Sequence, residues 1–88
     1  MDISDWRKKI DAIDGQLLEL LNERAKCVVA IGKIKKTTDR EIRDPAREAA
    51  VINRLTEKSG GPYSSEQITS IYSSIIAASR ILQQNMED

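Results

Sequence analysis

The feature that most constrains this chain is one long amphipathic helix predicted over residues 5–35. Residues three and four apart along it form a single apolar stripe, which comprises Trp6, Ile10, Ile13, Leu17, Leu20, Cys27, Ile31 and Ile34. At one step the stripe carries Arg24 in place of an apolar residue. A guanidinium among apolar neighbours is costly to bury unless an anion meets it. The pattern therefore indicates either a bound anion beside Arg24 or an ion pair between subunits.

The length of this helix predicts an oligomer. At 1.5 Å per residue the helix spans about 45 Å, whereas a compact chain of 88 residues has a radius of gyration of only about 12 Å. The helix must therefore protrude with its stripe uncovered. We expect a two-fold homodimer in which each long helix packs on its mate.

Two further helices follow. Asp44 before Pro45 is typical of a helix start and predicts a helix over 45–57. Ser64 and Gln67 form a capping box that predicts another over 65–85. No segment alternates with a period of two, so we expect an all-α fold, three helices in one domain over residues 1–88, with residues 37–43 as a loop. The residues expected to face inward are Val51, Ile52, Leu55, Ile68, Ile71, Tyr72, Ile75, Leu82 and Met86.

Composition excludes several classes of function. Fourteen basic and fourteen acidic residues cancel, which argues against a nucleic-acid or membrane-surface role. The chain has no histidine and one cysteine, Cys27, which lies on the stripe and is expected to be a buried thiol. We therefore expect no metal site. No apolar run reaches the roughly 18 residues of a membrane span, so a cytosolic protein is the expectation.

Several polar residues interrupt the inward faces of the three helices. Lys35 lies about 20° around the helix from Arg24 and about 16 Å further along, so the two side chains can lean toward one point. The others are, in chain order, Asp44, Arg47, Glu48, Ser79 and Gln83. Each alone has a plainer interpretation as a solvated side chain or, for Ser79, one bonded to a backbone carbonyl. Together they are an inventory of hydrogen-bond donors with one or two acceptors and no nucleophile.

Arg7 is a separate case, because it precedes Arg24 by about 25 Å along a straight helix. An antiparallel two-fold partner can bring it to the same site, although an exposed arginine near the N-terminus is, taken alone, more often solvated. Arginine and lysine recognise carboxylates. A site of fixed donors can accelerate a unimolecular reaction whose transition state separates charge, because it holds the reactive conformer and stabilises the oxygen that becomes negative.

Five segments together resemble the all-helical chorismate mutases. They are W-R-K-K-I-D-A-I-D (6–14), L-L-E-L-L-N-E-R (17–24), V-A-I-G-K-I-K (29–35), R-D-P-A-R-E (43–48) and I-I-A-A-S-R-I-L-Q (75–83). The resemblance implies an intertwined homodimer of three-helix chains with two active sites. It also implies an isomerase that converts chorismate to prephenate by a Claisen rearrangement without a cofactor, on the way to phenylalanine and tyrosine.

The resemblance implies a role for each unusual polar residue. Arg24, with Arg7 of the opposite subunit, is similar to the arginines that bind the substrate carboxylates. Lys35 and Gln83 resemble the two catalytic donors to the ether oxygen.

Among the remaining residues, Glu48 with the segment around Asp44 resembles the group that binds the ring hydroxyl. Arg47 and Ser79 are similar to further polar contacts with the substrate. None of these positions departs from the family pattern.

Two other functions are open at this point. One is an isochorismate-pyruvate lyase, which shares this fold, although the intact segment 43–48 favours the mutase. The other is a non-catalytic helical dimer that serves as an interaction or regulatory module. Relatives are often fused to a prephenate dehydratase or dehydrogenase. Since this chain ends soon after Gln84, we expect no appended regulatory domain and no feedback control by aromatic amino acids in this chain alone.

Overall fold

The computed structural model describes residues 1–38 and 44–86, without the side chains of 36–38. It contains three α-helices, namely α1 (Ile3–Thr38), α2 (Pro45–Lys58) and α3 (Ser65–Gln84). The described residues include no β-strand, so the all-α class is confirmed. Thr37 and Thr38 were predicted to lie in a loop. They are helical instead, since α1 extends to Thr38. The remainder of the predicted loop, residues 39–43, lies outside the described residues.

The starts of α2 and α3 follow from short-range hydrogen bonds. The backbone N–H of Arg47 donates to Asp44 Oδ1 over 3.1 Å, so Asp44 is the N-cap of α2. In α3 the Gln67 N–H donates to Ser64 Oγ over 3.1 Å and the Ser64 N–H donates to Gln67 Oε1 over 2.9 Å. These caps satisfy backbone donors that a helix start otherwise leaves unpaired. Both predicted caps are confirmed.

The long helix α1 begins with a similar reciprocal pair. Asp5 N–H donates to Asp2 Oδ1 over 3.0 Å, and Asp2 N–H donates to Asp5 Oδ2 over 3.1 Å. From there α1 runs for 36 residues without a break. Gly15 in its first half has no atom within 4 Å of the position that a Cβ would occupy.

Helix α3 packs against both α1 and α2. Its contact with α1 is confined to the second half of that helix, since every residue of α1 before Leu21 is exposed. The core is small: among the described side chains, Val51 and Ile76 are the buried apolar ones. Ile71 and Leu82, expected to face inward, are 40% and 39% exposed, because neither α1 nor α2 covers that face of α3.

The first half of α1 extends away from the other helices. Its stripe residues Trp6, Ile10, Ile13, Leu17 and Leu20 are each more than half exposed. The molecule measures 54 × 25 × 15 Å and has a radius of gyration of 16.0 Å, above the about 12 Å of a compact chain of this length. Its accessible surface of 7170 Å² exceeds by about 2,000 Å² the area typical of a compact monomer of this mass. The protruding, uncovered helix predicted from its length is confirmed.

Cys27 corrects one expectation, because its thiol is exposed rather than buried. It lies on the α1 stripe, but neither α2 nor α3 covers the stripe at that position.

In the part of the chain that the structure describes, no helix is long and apolar enough to cross a membrane.

Candidate active site

A cavity of about 100 Å³ lies where the end of α1, the start of α2 and the last turns of α3 meet. Six of the eight site residues predicted from the sequence line this cavity. Residues far apart in the chain are therefore brought together around one space. The lining residues are Val28, Lys35, Asp44, Arg47, Glu48, Ile76, Ser79, Arg80 and Gln83. Each helix therefore contributes side chains to one polar cavity.

Arg24 is half-buried and is held by a hydroxyl rather than by an acid. Its Nη1 donates to Ser79 Oγ over 2.6 Å, and Ser79 Oγ in turn donates to the Ile75 carbonyl oxygen over 2.9 Å. Across residues 1–38 and 44–86 no carboxylate forms an ion pair with Arg24. Its positive charge is thus not neutralised within the described chain, and a guanidinium so held can meet an anionic group.

A second, largely apolar groove of about 300 Å³ runs along α1 and α3, and Arg24 lines it together with Ser79. Ser79 also lines the polar cavity, so the two spaces adjoin at this residue. Lys35 lines the polar cavity and not this groove. In a single chain the two cations therefore flank Ser79 from neighbouring spaces instead of sharing one.

Gln83 is the buried polar residue of the described chain, with 8% of its surface exposed. Its Nε2 donates to the Val28 carbonyl oxygen in α1 over 3.0 Å. An amide NH₂ carries two donors, so one hydrogen remains for a ligand in the cavity that Gln83 lines. The plainer interpretation of Gln83 as a solvated residue near a helix end is wrong.

The acidic side of the cavity comes from α2. Asp44 caps this helix and Glu48 lies one turn further, partly buried. Arg80 Nη1 lies 3.8 Å from Glu48 Oε1, with these side chains 27% and 21% exposed. The sequence analysis missed Arg80. Its spacing contained the signal, because Arg80 falls four residues after Ile76 and three before Gln83, on the same helical face.

Arg7 is the one predicted site residue that lies far from the cavity. It is exposed in the first half of α1, about 25 Å along the helix from Arg24. A single chain therefore does not bring the two arginines together.

Comparison with known proteins assigns the chain to a family. The sequence model of the family described as chorismate mutase type II matches residues 6–84. The chain belongs to the chorismate mutase type II family. The match includes every predicted site residue.

Individual chorismate mutases are similar over most of the chain. A bifunctional chorismate mutase/prephenate dehydratase of Aquifex aeolicus is 36% identical over 90 residues, which cover 98% of this chain and 25% of the relative. The chain thus spans about a quarter of that relative's length.

Two solved structures have the same fold. The chorismate mutase of Thermus thermophilus in its form II has a TM-score of 0.93 at 30% identity, with 98% of each chain covered. The chorismate mutase of Helicobacter pylori in complex with prephenate has a TM-score of 0.88 at 30% identity, with 94% of this chain and 90% of that chain covered.

Proposed function

We propose that this chain converts chorismate to prephenate by an intramolecular Claisen rearrangement, without a cofactor, as a two-fold homodimer. The family supports the reaction class, and the H. pylori relative is described in complex with prephenate. The observation that carries the proposal is the polar cavity lined by two donors from different helices, the ammonium of Lys35 and the amide of Gln83.

These two donors suit the electronic demand of the rearrangement. The reaction breaks the C–O bond of an ether as a new C–C bond forms, so negative charge develops on the ether oxygen. Lys35 and the second N–H of Gln83 are the groups that stabilise this oxygen. Gln83 is already held by Val28, so little reorganisation is needed when the charge develops.

The charged groups around the donors suit a substrate with two carboxylates and a ring hydroxyl. We assign Arg24 and Arg47 to binding of the carboxylates, since arginine forms paired hydrogen bonds with a carboxylate. We assign Ser79, which holds Arg24, to a further polar contact with the substrate. We assign Glu48, next to Asp44, to the ring hydroxyl. Holding chorismate in its reactive conformer is the other half of the catalysis.

The dimer is needed to complete the site. Arg24 and Lys35 line two adjoining open spaces, a groove of about 300 Å³ and a cavity of about 100 Å³. A small-molecule site encloses most of its ligand, so a further wall is required. The surplus of about 2,000 Å² of exposed surface per chain corresponds to about 4,000 Å² in a dimer, within the range of obligate homodimers. In the proposed dimer the N-terminal half of α1 supplies that wall, and Arg7 of the partner subunit meets the second carboxylate.

The test is a chorismate-consumption assay with separation of the products, run in parallel with isochorismate. We expect prephenate from chorismate and no pyruvate from either substrate. Arg24→Ala should lower kcat/KM at least tenfold, as expected for loss of a charged hydrogen bond. Lys26→Ala, on the opposite face of the same helix, should leave it unchanged.

Other outcomes of this assay would identify a different function. Pyruvate from isochorismate alone would identify the lyase, and no reaction or binding with either compound would identify a non-catalytic helical dimer. A cytoplasmic location stays a prediction from the sequence.

A further inference from the structure

We infer that Gly32 is a positioning residue for Gln83: because residue 32 has no side chain, α3 approaches α1 closely enough for the Gln83 amide to be held in the cavity. Gly32 is not among the residues that line the polar cavity. Its effect on catalysis rests on the proposed function, in which Gln83 donates to the ether oxygen.

Gly32 is buried where α1 faces the end of α3. A Cβ at this position would lie 3.2 Å from Gln83 Cγ and 3.2 Å from Met86 Sδ. Distances this short are tighter than nine in ten real Cβ contacts, so the neighbours would have to move by a few tenths of an ångström. Met86 offers the flexible end of its side chain, whereas the contact on Gln83 is with the middle of the side chain.

The Gln83 side chain is held at both of its ends. Its backbone belongs to α3, and its Nε2 donates to the Val28 carbonyl oxygen over 3.0 Å. Val28 lies one turn before Gly32, so the same turn of α1 supplies both the clearance and the acceptor. Because the amide is planar, anchoring one N–H also sets the direction of the second. A displacement of Cγ is therefore passed to the donor that faces the ligand.

Gly15 provides a matched comparison in the same helix. No atom lies within 4 Å of the Cβ position at Gly15, and the residue lies opposite the apolar stripe. Replacing either glycine by alanine has the same effect on helix propensity. The difference between Gly32→Ala and Gly15→Ala therefore isolates the contacts of a Cβ at residue 32 with Gln83 and Met86.

The kinetic test measures kcat and KM for chorismate. Displacing a catalytic group by 1 Å can cost about a hundredfold in rate, so a shift of a few tenths of an ångström should lower kcat about fivefold in Gly32→Ala. We expect KM to stay within about twofold and Gly15→Ala to match the wild type. A wild-type kcat in Gly32→Ala would overturn the inference.

A double-mutant cycle separates positioning from general damage to the fold. In Gln83→Ala the Cγ is gone, so adding Gly32→Ala should change kcat no further. Equal losses from Gly32→Ala in both backgrounds would show that Gly32 acts on the fold or the dimer instead, and would overturn the inference.

Nuclear magnetic resonance gives a readout that does not depend on turnover. The side-chain amide signals of Gln83, assigned by their loss in Gln83→Ala, should shift in Gly32→Ala and stay in place in Gly15→Ala. Unmoved signals in Gly32→Ala would refute the positioning. If the wild type failed to convert chorismate, the proposed function would fail, while this comparison would still decide the role of Gly32.

Discussion

Truncating one stripe residue of α1 should weaken the proposed dimer by an amount that the structure allows us to estimate. Leu17 is 51% exposed in the single chain, so a partner can bury about half of it. A full Leu→Ala truncation in a core costs about 2–5 kcal/mol, which makes half of it about 1.5 kcal/mol. A two-fold dimer contains the residue twice. The free energy of dimer dissociation should therefore fall by about 3 kcal/mol, which corresponds to a rise in Kd of roughly 150-fold.

Analytical ultracentrifugation over a concentration series measures this Kd directly. Glu19→Ala is the matched control, because Glu19 projects from the opposite face of the same helix turn and its truncation removes no stripe contact. It should leave Kd unchanged. A wild-type chain that stays monomeric at high concentration, or a Leu17→Ala dimer as tight as the wild type, would refute the reasoning from exposed surface.

Three further variants test the site. Lys35→Ala removes a donor to the developing charge and should cost about 3–4 kcal/mol, or 10²–10³ in kcat; a change in KM alone, measured by steady-state kinetics, would contradict this role. A carboxyl in Gln83→Glu donates only when protonated, so its kcat should rise as the pH falls from about 8 to about 5, against a flat wild-type profile; a steep wild-type profile would count against Gln83. Arg80→Met removes the cation 3.8 Å from Glu48 and should change the free energy of unfolding by less than about 1 kcal/mol, because the pair is partly exposed. Its kcat/KM should fall by up to about fivefold, and an unchanged value would show that Arg80 does not support Glu48.

The features that sequence reasoning predicted are those fixed by local chemistry. Asp44 before Pro45 and the Ser64–Gln67 pair each determine a helix start within a single turn, and the structure has both. The uncovered half of α1 was also predictable. It follows from the rise per residue and the chain length, which require no knowledge of tertiary contacts.

The predictions that failed concern what covers a face. Periodicity identified the apolar faces that carry Cys27, Ile71 and Leu82, but it does not say which element packs there. In the single chain nothing in α1–α3 covers these residues, and they are exposed or partly exposed.

The plainer interpretation of Gln83 as a solvated residue failed in the opposite direction. A glutamine near a helix end is solvated unless another helix approaches it, and that approach depends on the missing side chain of Gly32, fifty-one positions earlier. Arg80 was overlooked because its charge suits an exposed helical face equally well. Its partner Glu48 lies in another helix, and only the tertiary structure brings the two together.

In the proposed dimer, each active site takes Arg24 from one subunit and Arg7 from the other. Mixing Arg7→Ala with Arg24→Ala chains tests it, because the mixed dimer then contains one site with both arginines and one site with neither. After unfolding and refolding an equal mixture, half of the dimers are mixed and half of their sites intact. We expect this mixture to recover about a quarter of the wild-type kcat per chain. A mixture no more active than its two inactive parents would contradict it.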